Sequence, residues 1–289
     1  MAHSTIDKSV QTLIQQIDRQ HGAGTLMRLG DTQRLNVKTL ELGLPPLDDI
    51  LGGGLPQGRV IEIFGPEAAG KTTLALHAIM KAQEREGTAV FIDAEHALDP
   101  DYARQMGVDT DNLLISQPES GEMALALIET LLEVDTVSII VVDSVAALIP
   151  EAEINAEMGD HLVGIHSRLM SKALRRITAR FNATQSNCIV IFTNQLRYLQ
   201  GVVYGSPETT TGGRALRFYA SLRLEVRRIQ TLKRGMEEYG IVVKVKTVKN
   251  KVAAPFRTVD LKLHFGRGFV LDESLLLNQS DPPLIPDEF

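Results

Sequence analysis

Apolar positions along the chain run through three rhythms, and each predicts a different kind of element. From Ser4 to Arg19, Ile6, Val10, Leu13, Ile14 and Ile17 recur at helical spacing, so an amphipathic helix is expected, stopped by His21-Gly-Ala-Gly24. Its stripe has two candidate seats, the chain's own core or a neighbouring subunit, and the glycines that cut it off favour the neighbour. From Val60 onward, short unbroken apolar runs take over at 60–64, 89–92, 113–115, 137–142 and 188–193, with helix-like stretches between most of them. That alternation predicts an α/β fold with a mainly parallel central sheet covered by helices. Farther along, Leu222, Leu224 and Val226 alternate with charged residues, and Val259, Leu261, Leu263 and Phe265 with polar ones. Period-two patterning predicts an antiparallel extension with one wet face. After Gly268 come five acidic residues, three prolines and no Lys or Arg, a short acidic tail. The expected organisation is an amino-terminal helical arm (1–32), a main core (33–268) and the tail (269–289).

Composition narrows the picture only slightly. At 289 residues and 44% hydrophobic, the chain can bury one large core. No run of about 18 apolar residues exists, and Asp7, Lys8, Asp18 and Arg19 interrupt the first twenty positions, so no membrane span or secretory signal is expected and the cytoplasm is the expected compartment. The single cysteine, Cys188, lies in an apolar run and reads as a buried inert thiol. The net charge of −6 means that any nucleic-acid contact must use a local basic surface.

The chemistry concentrates at 65–72, Gly-Pro-Glu-Ala-Ala-Gly-Lys-Thr, which fits G-x-x-x-x-G-K-[ST] between an apolar strand and a helix starting near Lys71. Gly65, Pro66, Glu67, Ala68, Ala69 and Gly70 form a loop whose backbone N–H groups face phosphates, with Lys71 on the β and γ phosphates of a nucleoside triphosphate, Thr72 on Mg²⁺ and Thr73 next to it. Because α/β sheets collect ligands at strand carboxyl ends, the polar residues closing each strand are candidates. Asp143 is placed to share the Mg²⁺ shell with Thr72. Glu95 can orient and deprotonate a water, or it is a helix cap or a surface charge. Asn194 or Gln195 can sense a γ-phosphate. Asp99 and Tyr102 can hydrogen-bond and stack on a purine, with ordinary packing equally open. His161 and His166 lack zinc spacing.

Read in order, these residues resemble the RecA family of bacterial recombinases. Gly65 to Thr73, Phe91 to Pro100, Ile140 to Leu148, Pro207 to Gly213 and Val248 to Phe256 carry the likeness, which extends from the first helix to about Gly268. The resemblance implies a DNA-dependent ATPase that forms helical filaments on single-stranded DNA, with ATP between subunits. It implies homologous pairing and strand exchange with double-stranded DNA in repair, and stimulation of repressor self-cleavage in the SOS response. It assigns Lys71 and Thr72 to phosphate and Mg²⁺, Glu95 to catalysis, Asp143 and Ser144 to the Mg²⁺ side and Gln195 to γ-phosphate sensing. Lys249 and Lys251 become groups reaching a neighbour's ATP, where the residues alone read as a solvated basic turn. It also implies two DNA-facing loops. The first, 157–164, contains Met158 and Gly159. The second, Arg197 to Gly213, contains Gly201, Tyr204, Thr210, Gly212 and Gly213. Arg168 would hold phosphate, and Lys172, Arg175, Arg176 and Arg180 recur with it at helical spacing, as a basic stripe or a solvated helix face.

The chain departs from the family pattern in three places. The usual carboxy-terminal domain gives way to 269–289, so duplex capture is in question. Tyr198-Leu-Gln200 stands where relatives carry a basic residue, and Ala68 and Ala69 where serines are frequent. Two rival readings are a regulatory paralogue that binds DNA or co-assembles without exchanging strands, and a filament-free ATPase of the same superfamily.

Overall fold

The computed structural model describes residues 8–27, 37–157, 164–198 and 208–270. They fall into two units dividing between Val37 and Lys38. In the first, helix α1 (Lys8–His21) carries Val10 and Leu13 exposed on its stripe and ends with Arg19 and His21, cations that suit the negative end of its dipole.

The second unit is a sheet between two helical layers. Its strands are β1 (Thr39–Leu40), β2 (Leu55–Pro56), β3 (Arg59–Gly65), β4 (Thr88–Asp93), β5 (Leu114–Ser116), β6 (Val137–Asp143), β7 (Ile189–Tyr198), β8 (Glu208–Thr210), β9 (Leu222–Arg234), β10 (Glu237–Asn250), β11 (Thr258–His264) and β12 (Gly268–Val270). Its helices are α2 (Pro45–Leu51), α3 (Lys71–Gln83), α4 (Pro100–Gln105), α5 (Gly121–Leu131), α6 (Glu151–Ile154), α7 (Ile165–Thr184) and α8 (Ala215–Tyr219). The main sheet runs β12-β11-β10-β9-β3-β7-β6-β4-β5, with β8 paired to β7. From β9 to β5 every pairing is parallel, and from β12 to β9 every pairing is antiparallel.

The unbroken apolar runs are explained by burial on both faces. On one face Ile61, Ile63, Phe91 and Val141 pack with Leu74 and Ile79 of α3. On the other, Val90, Val142 and Phe192 pack with Ile128 of α5 and with Met170, Leu174, Ile177 and Phe181, the buried stripe of α7. The sheet thus has the expected parallel core and antiparallel extension. One detail differs from expectation: β9 joins β3 in parallel, and its Arg223 is buried where the alternation predicted a wet face. The pairing partner explains it, since Arg223 lies directly across from the buried Glu62. β10, a fourteen-residue strand that the patterning did not single out, links β9 to β11. Phe269 of β12 packs on the core and meets His77 edge-on at 5.9 Å. Cys188 is buried, and burial pushes its thiol far up, as an inert core residue requires. No helix among the described residues is long and apolar enough to cross a membrane.

Candidate nucleotide and DNA site

Three parallel strands, β3, β4 and β6, end beside β7, which continues to Tyr198, and this edge brings most of the candidate residues together. Gly65 closes β3 opposite Gln195 of β7. A Cβ on Gly65 would stand 2.0 Å from the Val226 carbonyl oxygen, so only glycine lets the loop leave the strand here. The loop then turns through positive φ at Ala68 (52°) and Gly70 (91°), the left-handed steps from which anion-binding nests are built. α3 follows, offering the unpaired N–H groups of its first turn and the positive end of its dipole. Lys71 folds over the loop and donates to the Pro66 carbonyl at 2.6 Å. Burial lowers the Lys71 pKa against the pull of Asp143, Glu95 and Glu67, leaving a desolvated ammonium ringed by acids.

The β6 tip faces this loop. Thr72 Oγ1 donates to Asp143 Oδ2 at 2.7 Å, and Thr193 of β7 donates to Asp143 Oδ1. Burial raises the Asp143 pKa although both hydroxyls and Lys71 oppose the shift. A hydroxyl and a carboxylate 2.7 Å apart are hard oxygen donors suited to Mg²⁺, which keeps most of its shell as water and phosphate. Among the described residues no cluster of three or more His, Cys, Asp or Glu could cage a metal.

Glu95 sits just past β4, its backbone N–H donating to the Asp143 carbonyl at 3.2 Å. Its Oε1 accepts from Ser144 Oγ and from Gln195 Nε2, the latter at 3.4 Å. Glu95 and Ser144, just past the ends of β4 and β6, therefore form one cluster with Gln195 of β7, and among the described residues no hydrogen bond takes the other Glu95 oxygen. Sequence reasoning did not identify the residue that shapes this turn. Buried Asp93 accepts from the N–H groups of Ala97 and Leu98 and from Gln117 Nε2, fixing the backbone that presents Glu95. A charge inside the apolar run Phe91-Ile-Asp was the available signal.

The purine candidates have other partners. Asp99 caps α4, accepting from the N–H groups of Asp101 and Tyr102, and the Tyr102 hydroxyl pairs with Thr73 Oγ1 at 2.8 Å. Tyr102 is thereby fixed against the phosphate-loop helix.

The DNA-side candidates divide. Met158, Gly159, Gly201 and Tyr204 lie outside the described residues. Arg197 is exposed and strand-paired with Thr209, and Thr210, also in that ladder, is buried. Gly212 and Gly213 have positive φ and pack on the first turns of α7, near Met170 and Ser167. On α7, Arg168, Lys172 and Arg175 are exposed. Arg176 instead pairs with Glu129 at 2.7 Å and Arg180 with Glu133 at 3.0 Å, both acids belonging to or following α5. The expected stripe is thus part basic face, part ion-paired helix contact. Lys249 ends β10 and donates to the Arg217 and Phe218 carbonyls of α8 at 2.7 and 2.9 Å, while Lys251 is exposed beyond it. Neither contacts the phosphate loop of its own chain through a hydrogen bond.

The RecA N-terminal domain family matches residues 8–270. The chain belongs to the RecA family. It is 57% identical over 270 residues to Protein RecA of Prochlorococcus marinus (strain AS9601), covering 93% of this chain and 73% of that relative. It is 59% identical over 262 residues to Protein RecA of Synechococcus elongatus, covering 91% of this chain and 73% of that relative. The matched span takes in every strand tip described above, so this RecA-family chain carries its candidate cluster inside the shared region.

Proposed function

We propose that the chain is a cytoplasmic, ATP-dependent recombinase that assembles head to tail on single-stranded DNA, pairs it with a homologous duplex and stimulates repressor self-cleavage. The observation that carries this reading is the convergence of Thr72, Asp143, Glu95, Ser144 and Gln195 at one sheet edge around one phosphate loop. In this reading the loop N–H groups and Lys71 bind the triphosphate, and Thr72 and Asp143 hold Mg²⁺, whose charge offsets that of the β and γ phosphates. Glu95 orients the attacking water and takes its proton, and Gln195, already hydrogen-bonded to that carboxylate, reports the γ-phosphate to the strand leading into the second loop. Ser144 keeps Glu95 aimed. Exposed Arg168, Arg175 and Arg197, with the glycine turn at 212–213, would face the DNA backbone. The exposed stripe of α1 supports self-association through 1–32, with 33–268 as the catalytic core and 269–289 as the tail. Lys249 and Lys251 would serve the neighbour's ATP, which fits their lack of contact with the chain's own loop.

ATP hydrolysis with and without single-stranded DNA, followed by a strand-exchange assay, tests the proposal. Stimulated turnover with heteroduplex product supports it. Stimulated turnover without product moves the chain to the regulatory reading, and DNA-independent turnover overturns both.

A further inference from the structure

A charged cluster sits inside the sheet, where the mechanism above does not use it. Glu62, in the middle of β3, and Asn194, inside β7, are both 0% exposed, and Arg223 of β9 is 8% exposed. Glu62 divides its oxygens: Oε2 accepts from Arg223 Nε at 2.5 Å and Oε1 from Asn194 Nδ2 at 2.9 Å. The same Asn194 amide nitrogen donates to the Thr211 carbonyl at 2.9 Å, and its oxygen accepts from the Gln195 N–H at 2.9 Å. Arg223 also stacks over Phe64, 4.6 Å from the ring centroid. A buried ion pair adds little stability over apolar residues of the same size, so stability alone does not account for it. Its geometry, however, is directional. Both N–H groups of the Asn194 amide are committed, to Glu62 and to Thr211. One amide thus ties together the strand that delivers the phosphate loop, the backbone of Gln195 and the return of the second loop at Thr211.

We infer that Glu62, Asn194 and Arg223 are positioning residues that hold the end of the second loop in register with the phosphate-loop strand, so that single-stranded DNA on that loop reaches the hydrolytic cluster through Asn194 and Gln195. The inference rests on the proposed DNA-stimulated ATPase. It requires coupling without participation in nucleotide binding, because none of the three side chains touches the loop 66–72 by a hydrogen bond or ion pair. A one-amide joint suits such a role, since couplings of 5- to 150-fold need only about 1–3 kcal/mol.

The test compares the full chain with Asn194→Ala, which cuts the link to Thr211, and with the double variant Glu62→Leu/Arg223→Leu, which removes both charges together and leaves neither buried alone. Each is measured for thermal unfolding, for affinity toward a fluorescent ATP analogue without DNA, and for ATP hydrolysis with and without poly(dT). We expect analogue affinity within about twofold of the parent and stimulation by poly(dT) reduced about tenfold, with folding retained in at least the double variant. Parental stimulation in either folded variant overturns the inference, as does a parallel loss of analogue affinity, which would mean that the cluster shapes the phosphate loop itself. If the parent shows no stimulation, the proposed function fails first.

Discussion

Asp143 and Glu62 are two acids in one sheet, the first half-buried and the second fully buried, and they are satisfied in opposite ways. Asp143 sits at a strand tip with two hydroxyls, and burial raises its pKa. Glu62 sits in mid-strand against a guanidinium. An acid left with neutral donors is poised for a cation from outside, whereas one already matched by arginine is occupied in holding the structure. On the proposed function, the difference separates a group that draws in Mg²⁺ from one that holds neighbouring strands together.

The largest effect that could break this contrast comes from Glu62→Gln, which leaves Arg223 buried and unpaired and should destabilise the fold by about 3–5 kcal/mol, read by denaturant unfolding. An unchanged midpoint would mean that the pair is not what holds Arg223 in place. Next comes Asp143→Asn. It should cut ATP turnover by about a hundredfold or more while thermal stability holds or rises. The sign follows from the raised pKa: the folded state binds more protons than the unfolded chain above the ordinary aspartate value of 3.8, so the penalty from Asp143 grows as pH rises through its folded pKa. The asparagine variant should therefore gain most over the parent at neutral pH and little below pH 3.8. Glu95→Gln should likewise lose turnover, yet keep nucleotide affinity, because only the proton-accepting role is removed.

How much of this contrast the sequence disclosed depends on how far apart its partners lie. The phosphate loop is local, eight consecutive residues with a strand before and a helix after, and it was legible outright. Asp143, Glu95 and Gln195 were legible as polar residues closing apolar runs, since parallel strands put their ends on one edge. Glu62 was not, because its partners Asn194 and Arg223 stand 132 and 161 residues away and no periodicity links them. Arg223 looked like an outward residue on an alternating strand. β10 went unnoticed because Ile241, Val243, Val245 and Thr247, its buried positions, alternate next to lysines that drew the reading to the turn beyond.

Smaller effects sharpen the DNA side. Lys249→Ala removes a cation from the last carbonyls of α8 and should cost about 0.3–1 kcal/mol, but hydrolysis should fall only in assembled protein and return when it is mixed with Lys71→Ala subunits. Smallest of all, Arg176→Ala should shift stability by no more than about 1 kcal/mol and leave DNA affinity unchanged, since Arg176 is committed to Glu129. Arg175→Ala, one position away and exposed, should instead weaken DNA binding and flatten its salt dependence.

Gly65 presses against the carbonyl of Val226, and β3 lies between strands that are synthesised far later. At ribosomal speeds of about 5–20 residues per second, the phosphate-loop strand waits on the order of ten seconds or more for its second neighbour. A nascent chain short of β9 has the whole ATP signature in its sequence but lacks the wall that shapes the loop. On the proposed function nucleotide binding therefore waits for β9 to be synthesised, and ribosome-bound chains ending before Leu222 should not be retained on an ATP resin.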